Sequence, residues 1–292
     1  MARALSALAA ALLLVSCGSP RQDDLPPPSP ALWQVTGPDG QASGWLFGTI
    51  HALPDGVEWQ TPALQQALDK AGLLLVEVAD LDDRGAISGS FTRLSRTPGQ
   101  APLSARLAPV ARAKLAAVLA RAGMKEGDFA DIESWGAALI LAQSAAGDDA
   151  GKNGVDSALI AKFPRARIAE LEGIEAQFGA FDRLPEKEQR DLLDLVVTDA
   201  EDTPADRRRM ALAWRSGDMA AIEAEGSEGM LADPELRQAL LIDRNRDWLG
   251  KIERALDAGR RPFVAVGGAH MAGPDGLPAL LAADGYTVRR IQ

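Results

Sequence analysis

The stretch Phe263-Val264-Ala265-Val266-Gly267-Gly268-Ala269-His270-Met271-Ala272-Gly273-Pro274-Asp275-Gly276 has a counterpart near the other end of the chain, Trp45-Leu46-Phe47-Gly48-Thr49-Ile50-His51-Ala52-Leu53-Pro54-Asp55-Gly56. Each is an apolar run of strand length, then Gly-x-x-His, then Pro-Asp-Gly shortly afterwards. Glycine lets the backbone turn sharply where the strand ends. The histidine should then project from the carboxyl edge of a sheet, where open α/β folds build their sites. His51 and His270 are the only histidines in the chain, so the whole imidazole complement sits in one repeated device.

Outward from these two stretches, Leu32–Thr36 and Gly44–Phe47 flank Gly37-Pro38-Asp39-Gly40 and read as a β-hairpin. Thr61-Pro62 is an N-cap with proline at the first helical position, and that helix should run to about Ala71. Leu73–Val78 reads as a buried strand and Ile168–Leu171 as a short one. Helices are expected over 108–122, 131–145, 186–200, 205–216 and 234–257. Pro262–Gly267 is a buried strand, Leu277–Ala283 a short helix and Tyr286–Ile291 a last strand. Strands alternate with helices at both ends and helices fill the centre. The fold class expected is α/β, a mixed sheet with strand-end Gly-x-x-His motifs at both ends of the chain and a large helical middle.

Residues 1–16 read as a lipoprotein signal peptide: Arg3 supplies the positive start and 4–15 are almost wholly apolar, too short for a permanent span. They end in Leu14-Val15-Ser16-Cys17, which resembles a lipobox, so Cys17 is the expected lipidation site. Two or more acyl chains such as palmitate hold a protein stably on a membrane. Gly18 is not the aspartate that marks inner-membrane retention, which favours the outer membrane, facing the periplasm. Residues 17–31, with Pro20, Pro26, Pro27, Pro28 and Pro30, read as a tether, and 32–292 as one domain. Cys17 is the sole cysteine, so the domain has no internal disulfide and must rest on its core.

The formal net charge is −10 over 292 residues; without residues 1–16, whose one charge is Arg3, it is −11. Such a surface argues against nucleic acid and against general adhesion to anionic lipid. The expected partners are a peptide or small-molecule substrate of the envelope, and the membrane through Cys17.

Other polar groups fall at similar strand ends. Glu77, in Leu73-Leu74-Leu75-Val76-Glu77-Val78, would be costly to bury without a cation or hydrogen bonds. A metal, a protonated histidine or an arginine would relieve that cost. Glu170 and Glu172 flank Leu171, and alternation points both to one face, with Glu172 the better placed for a site. Arg244 and Asn245 lie in a helix and could hold a substrate carboxylate or carbonyl, or pair on the surface with Asp243 or Asp247.

These residues carry a resemblance. The sequence is similar to the TraB/GumN family, which is related to the Tiki proteases and grouped with erythromycin-esterase-like and ChaN-like proteins. The matching residues are Leu46 to Pro54 with Trp59 and Pro62–Leu64; Leu75-Val76-Glu77; Gly154-Val155-Asp156; Leu171-Glu172 with Gln177; Trp214 with Gly217-Asp218; Arg244-Asn245 with Trp248; and Val266 to Leu277. Met271, where the family often has leucine, and Ala169-Glu170 depart from the pattern. The resemblance covers about residues 32–292. It implies metal-dependent peptide hydrolysis, with His51, His270 and Glu77 as ligands of manganese, cobalt or zinc, and Glu77 or Glu172 as general base. Esterase-like relatives imply instead a histidine base without metal. A peptide- or pheromone-sequestering lipoprotein without catalysis is a second implication. Haem or iron handling, as in ChaN-like lipoproteins, is a third; haem needs an axial ligand, and Tyr286 is the only tyrosine.

Overall fold

The structure, a computed structural model, describes residues 25–37, 40–54, 56–146, 153–198 and 204–292. The expected signal peptide, the expected lipidation site Cys17 and the first part of the expected tether lie outside the described residues. No helix among the described residues is long and apolar enough to cross a membrane.

Six strands form one mixed sheet: β1 (Leu32–Thr36), β2 (Ala42–Thr49), β3 (Leu73–Val76), β4 (Ile168–Glu170), β5 (Pro262–Gly267) and β6 (Thr287–Arg290), in the order β4-β3-β5-β2-β1-β6. β2, β5, β3 and β4 are mutually parallel, while β1 runs antiparallel to both β2 and β6. The expected hairpin is therefore present, and β2 begins two residues earlier than its apolar pattern suggests because Thr36 pairs with Ala42 across a register shift. β3, between β4 and β5, is buried throughout its length, which is why it reads Leu-Leu-Leu-Val without alternation.

Helix α1 (Pro62–Lys70) starts as its sequence requires: Thr61 Oγ1 accepts the Leu64 N–H and Pro62 fills the first position. Then come α2 (Arg84–Ser95), α3 (Pro109–Ala122), α4 (Ser134–Ala146), α5 (Val155–Ile160), α6 (Ile174–Asp182), α7 (Glu186–Thr198), α8 (Pro204–Ser216), α9 (Met219–Glu228), α10 (Pro234–Arg237), α11 (Asp243–Asp257) and α12 (Leu277–Ala283). The stretch expected as one helix over 234–257 is interrupted at Gln238–Ile242 by a π-helical turn. Such turns widen a helix locally and recur at functional sites; this one lies directly before Arg244.

Apolar residues gather in three bodies. Phe47, Leu74 and Phe263 on one sheet face pack with Trp59, Leu64, Val155 and Trp214. Leu46, Leu75, Val264 and Val266 on the other pack with Trp248, Ile252 and Leu281. A separate helical body holds Leu103, Leu115, Trp135, Leu141, Leu193 and Leu240. The last takes its helices from between β3 and β5, which is the large helical middle the sequence suggests.

The end of the tether is not free. Arg215, buried, donates to the Pro26 carbonyl at 2.7 Å and to the Glu58 carbonyl at 2.9 Å, and its own carbonyl accepts the Ser29 N–H at 2.9 Å. Residues 25–31 thus lie along the domain: proline removes N–H donors but keeps its carbonyl, and the Arg215 guanidinium supplies a donor to the one on Pro26.

Candidate active site

β2 and β5 are neighbours in register, with Gly48 opposite Val266 and Thr49 opposite Gly267, so the two Gly-x-x-His motifs end side by side at the carboxyl edge of the sheet. The glycines are used for closeness and not for a left-handed turn, since neither Gly48 nor Gly267 has positive φ. A Cβ on Gly48 would stand 3.1 Å from Gly268 Cα, and one on Gly267 3.4 Å from Glu77 Oε1. Trp214 fixes the first motif from below, donating its indole N–H to the Gly48 carbonyl at 2.8 Å.

Each imidazole is held at Nδ1 by an oxygen from another element. His51 Nδ1 lies 3.0 Å from Asp156 Oδ2, and the other oxygen of Asp156 accepts the Thr49 hydroxyl at 2.6 Å. Asp156 is buried in the first turn of α5, whereas the His51 side chain is 72% exposed. The carboxylate raises the His51 pKa to about 9 through that hydrogen bond. His51 is therefore imidazolium at neutral pH.

His270 is the opposite case. It is buried, and its Nδ1 lies 2.7 Å from Asn245 Oδ1. The Asn245 amide nitrogen donates to the Asp275 carbonyl at 2.7 Å, so its oxygen faces the ring and His270 carries its proton on Nδ1. Burial pushes the His270 pKa down to about 3, and the ring is neutral at pH 7. The indole of Trp248 packs against it with centroids 4.5 Å apart.

Arg244 draws the remaining groups together. Its Nη2 donates to Glu77 Oε2 at 2.7 Å and to Glu172 Oε1 at 2.5 Å, its Nε to Glu172 Oε2 at 3.0 Å, and its Nη1 lies 3.3 Å from His270 Nε2. The guanidinium also stacks on Trp248, 4.7 Å from the ring centroid. The π-helical turn brings the Leu240 carbonyl to 3.1 Å from Nη1 and steadies the fork.

β3 ends at Val76, so Glu77 sits just past a strand end and not within a strand. Its Oε1 accepts the Gly267 N–H at 2.7 Å. Burial opposes its ionisation, but the cationic surroundings and that N–H outweigh it and the pKa falls below the usual carboxylate range. Since His270 is neutral at pH 7, Arg244, the Gly267 N–H and the cationic His51 do this work there. Glu172 moves the other way: burial raises its pKa although Arg244 grips both its oxygens.

Of the sequence-selected groups, His270, Glu77, Glu172 and Arg244 meet directly, and His51 enters the same electrostatic neighbourhood. Glu170 does not join its neighbour: its Oε1 caps the Ala79 N–H at 2.7 Å. Arg244 pairs with Glu77 and Glu172, and not with Asp243 or Asp247 on the surface; its side chain is half-buried at the cavity wall. Asn245 is 0% exposed and its amide groups serve His270 and backbone carbonyls, so it positions the ring and has none left for a substrate. Asp156 received no role from sequence reasoning beyond its place in Gly154-Val155-Asp156; a lone acid opening a short helix carries little signal until the fold sets it beside His51.

The model of the TraB/PrgY/gumN family matches residues 31–290. The chain belongs to the TraB/PrgY/gumN family. No curated protein and no solved structure matches it. The family match spans both Gly-x-x-His motifs and every residue placed in the site above, so membership and geometry concern the same body of chain.

For a divalent cation the two imidazoles are suitable donors, since each has Nδ1 anchored to an oxygen. Glu77 does not fit as the third donor in this arrangement. Both its oxygens are taken, and a guanidinium stands where a second cation would meet Glu77 and His270. Among the described residues no group of three or more His, Cys, Asp or Glu side chains is placed to hold a metal ion.

A cavity of about 510 Å³ opens beside Arg244, Glu172 and Trp248, and a second, apolar one of about 270 Å³ lies against Thr49, Gly268 and Ala269. The smaller cavity therefore touches both motif ends, while the larger one lies against the Glu172 and Arg244 side of the cluster.

Proposed function

We propose that this TraB/PrgY/gumN-family protein is a hydrolase of peptide or related acyl bonds, working in the bacterial envelope from a lipid anchor at Cys17. The observation that carries the reading is convergence: Arg244 joins Glu77, Glu172 and His270, residues that arrive from separate strand ends, and Arg244 and Glu172 line an open cavity. Environments that push titratable groups apart mark acid and base roles. Glu172, raised by burial and lining the cavity, takes a proton from the attacking water. His51, cationic at neutral pH, gives a proton to the leaving nitrogen or oxygen as its bond to the acyl carbon breaks. Arg244, held by its carboxylates, meets the charge that develops on the carbonyl oxygen.

A second reading, divalent-cation binding by His51 and His270, is favoured by their anchored Nδ1 atoms. It requires Glu77 to leave Arg244, and no step above depends on it. The test is a peptidase assay on purified protein, before and after chelation and with added Mn²⁺, Co²⁺ or Zn²⁺, alongside metal analysis. Turnover that survives chelation and is lost in His51→Ala and Glu172→Gln is expected. Activity and bound metal lost together in the histidine variants would support the second reading. Stoichiometric peptide binding without turnover would overturn both and leave sequestration. Membrane release of Cys17→Ser checks the anchor.

A further inference from the structure

The smaller cavity, of about 270 Å³, is used by no step of the chemistry above. One side of it is the pair of motif ends: Thr49 and Ile50, which lead into His51, and Gly268 and Ala269, which lead into His270. The other side comes from α8, α9 and the turn after them, through Met210, Trp214, Ile222, Met230 and Leu231. The polar side-chain groups of these walls are spent elsewhere. The Trp214 N–H goes to the Gly48 carbonyl at 2.8 Å and the Thr49 hydroxyl to Asp156 at 2.6 Å. Among the described lining residues Glu225 alone is charged, and it is exposed. A group entering here therefore meets apolar side chains, and its binding rests on taking apolar surface out of water.

Cavities that take a whole drug-sized ligand run to about 300–1,000 Å³. This one is smaller and has room for one large side chain of a longer substrate. Met210 and Met230, unbranched and polarisable, adapt to such a side chain whether it is branched, linear or aromatic. We propose that this cavity seats one large apolar side chain of a peptide substrate and sets the protein's substrate preference. The inference rests on the hydrolase reading above and adds the class of its substrate. Place carries it as well as chemistry. Ile50 and Ala269 immediately precede the two histidines, so a side chain seated against them lays the adjoining peptide backbone along the motif ends.

The experiment uses the full chain in detergent and blocked tripeptides, acetyl-Ala-X-Ala-amide, with X as leucine, its near-isostere asparagine or tryptophan; octanoate is a fourth probe. Calorimetric titration should show the leucine peptide binding at least about tenfold tighter than the asparagine one, as burial of one such side chain gives. The preference should persist in His51→Ala, which separates the seat from turnover. Gly226 offers a plug. It lines the cavity within α9, and a Cβ added there would stand 3.5 Å from Leu231 Cδ1, an ordinary contact. Gly226→Leu should therefore abolish the leucine preference and keep the fold, since a helix interior favours leucine over glycine. Met230→Ala, which removes wall, should shift the preference from leucine toward tryptophan. Equal affinity for the leucine and asparagine peptides in the unaltered chain overturns the proposal, as does a leucine preference unchanged in folded Gly226→Leu or in Met230→Ala. Octanoate binding without a leucine preference overturns a peptide side chain as the occupant. A leucine preference that stands while the peptidase assays show no turnover keeps the seat and overturns the hydrolase reading alone.

Discussion

Asn245 Oδ1 stands 2.7 Å from Nδ1 of His270, and the amide nitrogen of the same asparagine is spent on the Asp275 carbonyl. The pair fixes which nitrogen of the buried ring bears the proton. Asn245→Ala should lower kcat/KM by about 10- to 100-fold, the usual cost of losing a group that orients a working histidine. Asn245→Asp should keep the orientation and raise the His270 pKa from about 3, as Asp156 does for His51. Nitrogen-15 NMR of the two imidazoles checks both; an unchanged tautomer in Asn245→Ala would sink the assignment.

Asp156 holds His51 protonated. In Asp156→Asn the His51 pKa should fall from about 9 toward the ordinary 6.5. If His51 is the acid, the alkaline limb of kcat/KM should move down with it. Thr49→Val, which removes only the hydroxyl on the other oxygen of Asp156, should shift it less. A limb that stays in place in Asp156→Asn assigns the acid elsewhere.

Among the described residues Arg244 is the only cation paired with the two enclosed carboxylates Glu77 and Glu172. Arg244→Met should therefore destabilise the fold by about 3–5 kcal/mol, the cost of stranding buried charge. Adding Glu77→Gln and Glu172→Gln should recover part of that loss, and urea titration of the series measures it. Single and triple variants of equal stability would show that the network carries no such strain.

Acid should unfold the protein in a window set by His270. Its folded pKa, about 3, lies below the unfolded value near 6.5, so the unfolded chain binds the extra proton between them. Stability therefore falls as pH drops below about 6.5, by at most about 1.4 kcal/mol per pH unit. His51 has the opposite sign: its raised pKa adds stability below about 6.5 that fades as pH rises toward about 9, and its exposure keeps that small. His270→Gln should flatten the acid limb in denaturant titrations at stepped pH. A limb as steep as in the parent would assign it to other groups.

Gly48→Ala should cost activity more than stability. Its Cβ would sit 3.1 Å from Gly268 Cα, backbone against backbone, so one motif end has to shift. Activity lost with a melting temperature changed by only a few degrees is the expected pattern, and full activity would show that the ends tolerate displacement.

Much of this protein was decided by local sequence. The twin Gly-x-x-His stretches, the N-cap at Thr61-Pro62, the all-apolar strands and the helix-rich centre follow from periodicity and turn chemistry, which act over a few residues. The same holds for family membership and for naming His51, His270, Glu77, Glu172, Arg244 and Asn245. Partnership was decided only by tertiary structure. Asp156 is separated from His51 by 105 residues and Arg244 from Glu77 by 167, and no local pattern encodes a contact at such range. Sequence leaves Glu77 a metal, a histidine or an arginine as partner; the fold sets Arg244 Nη2 2.7 Å from its Oε2. Tertiary surroundings also separate two imidazoles in like motifs: the Asp156 carboxylate keeps His51 charged, and burial leaves His270 neutral.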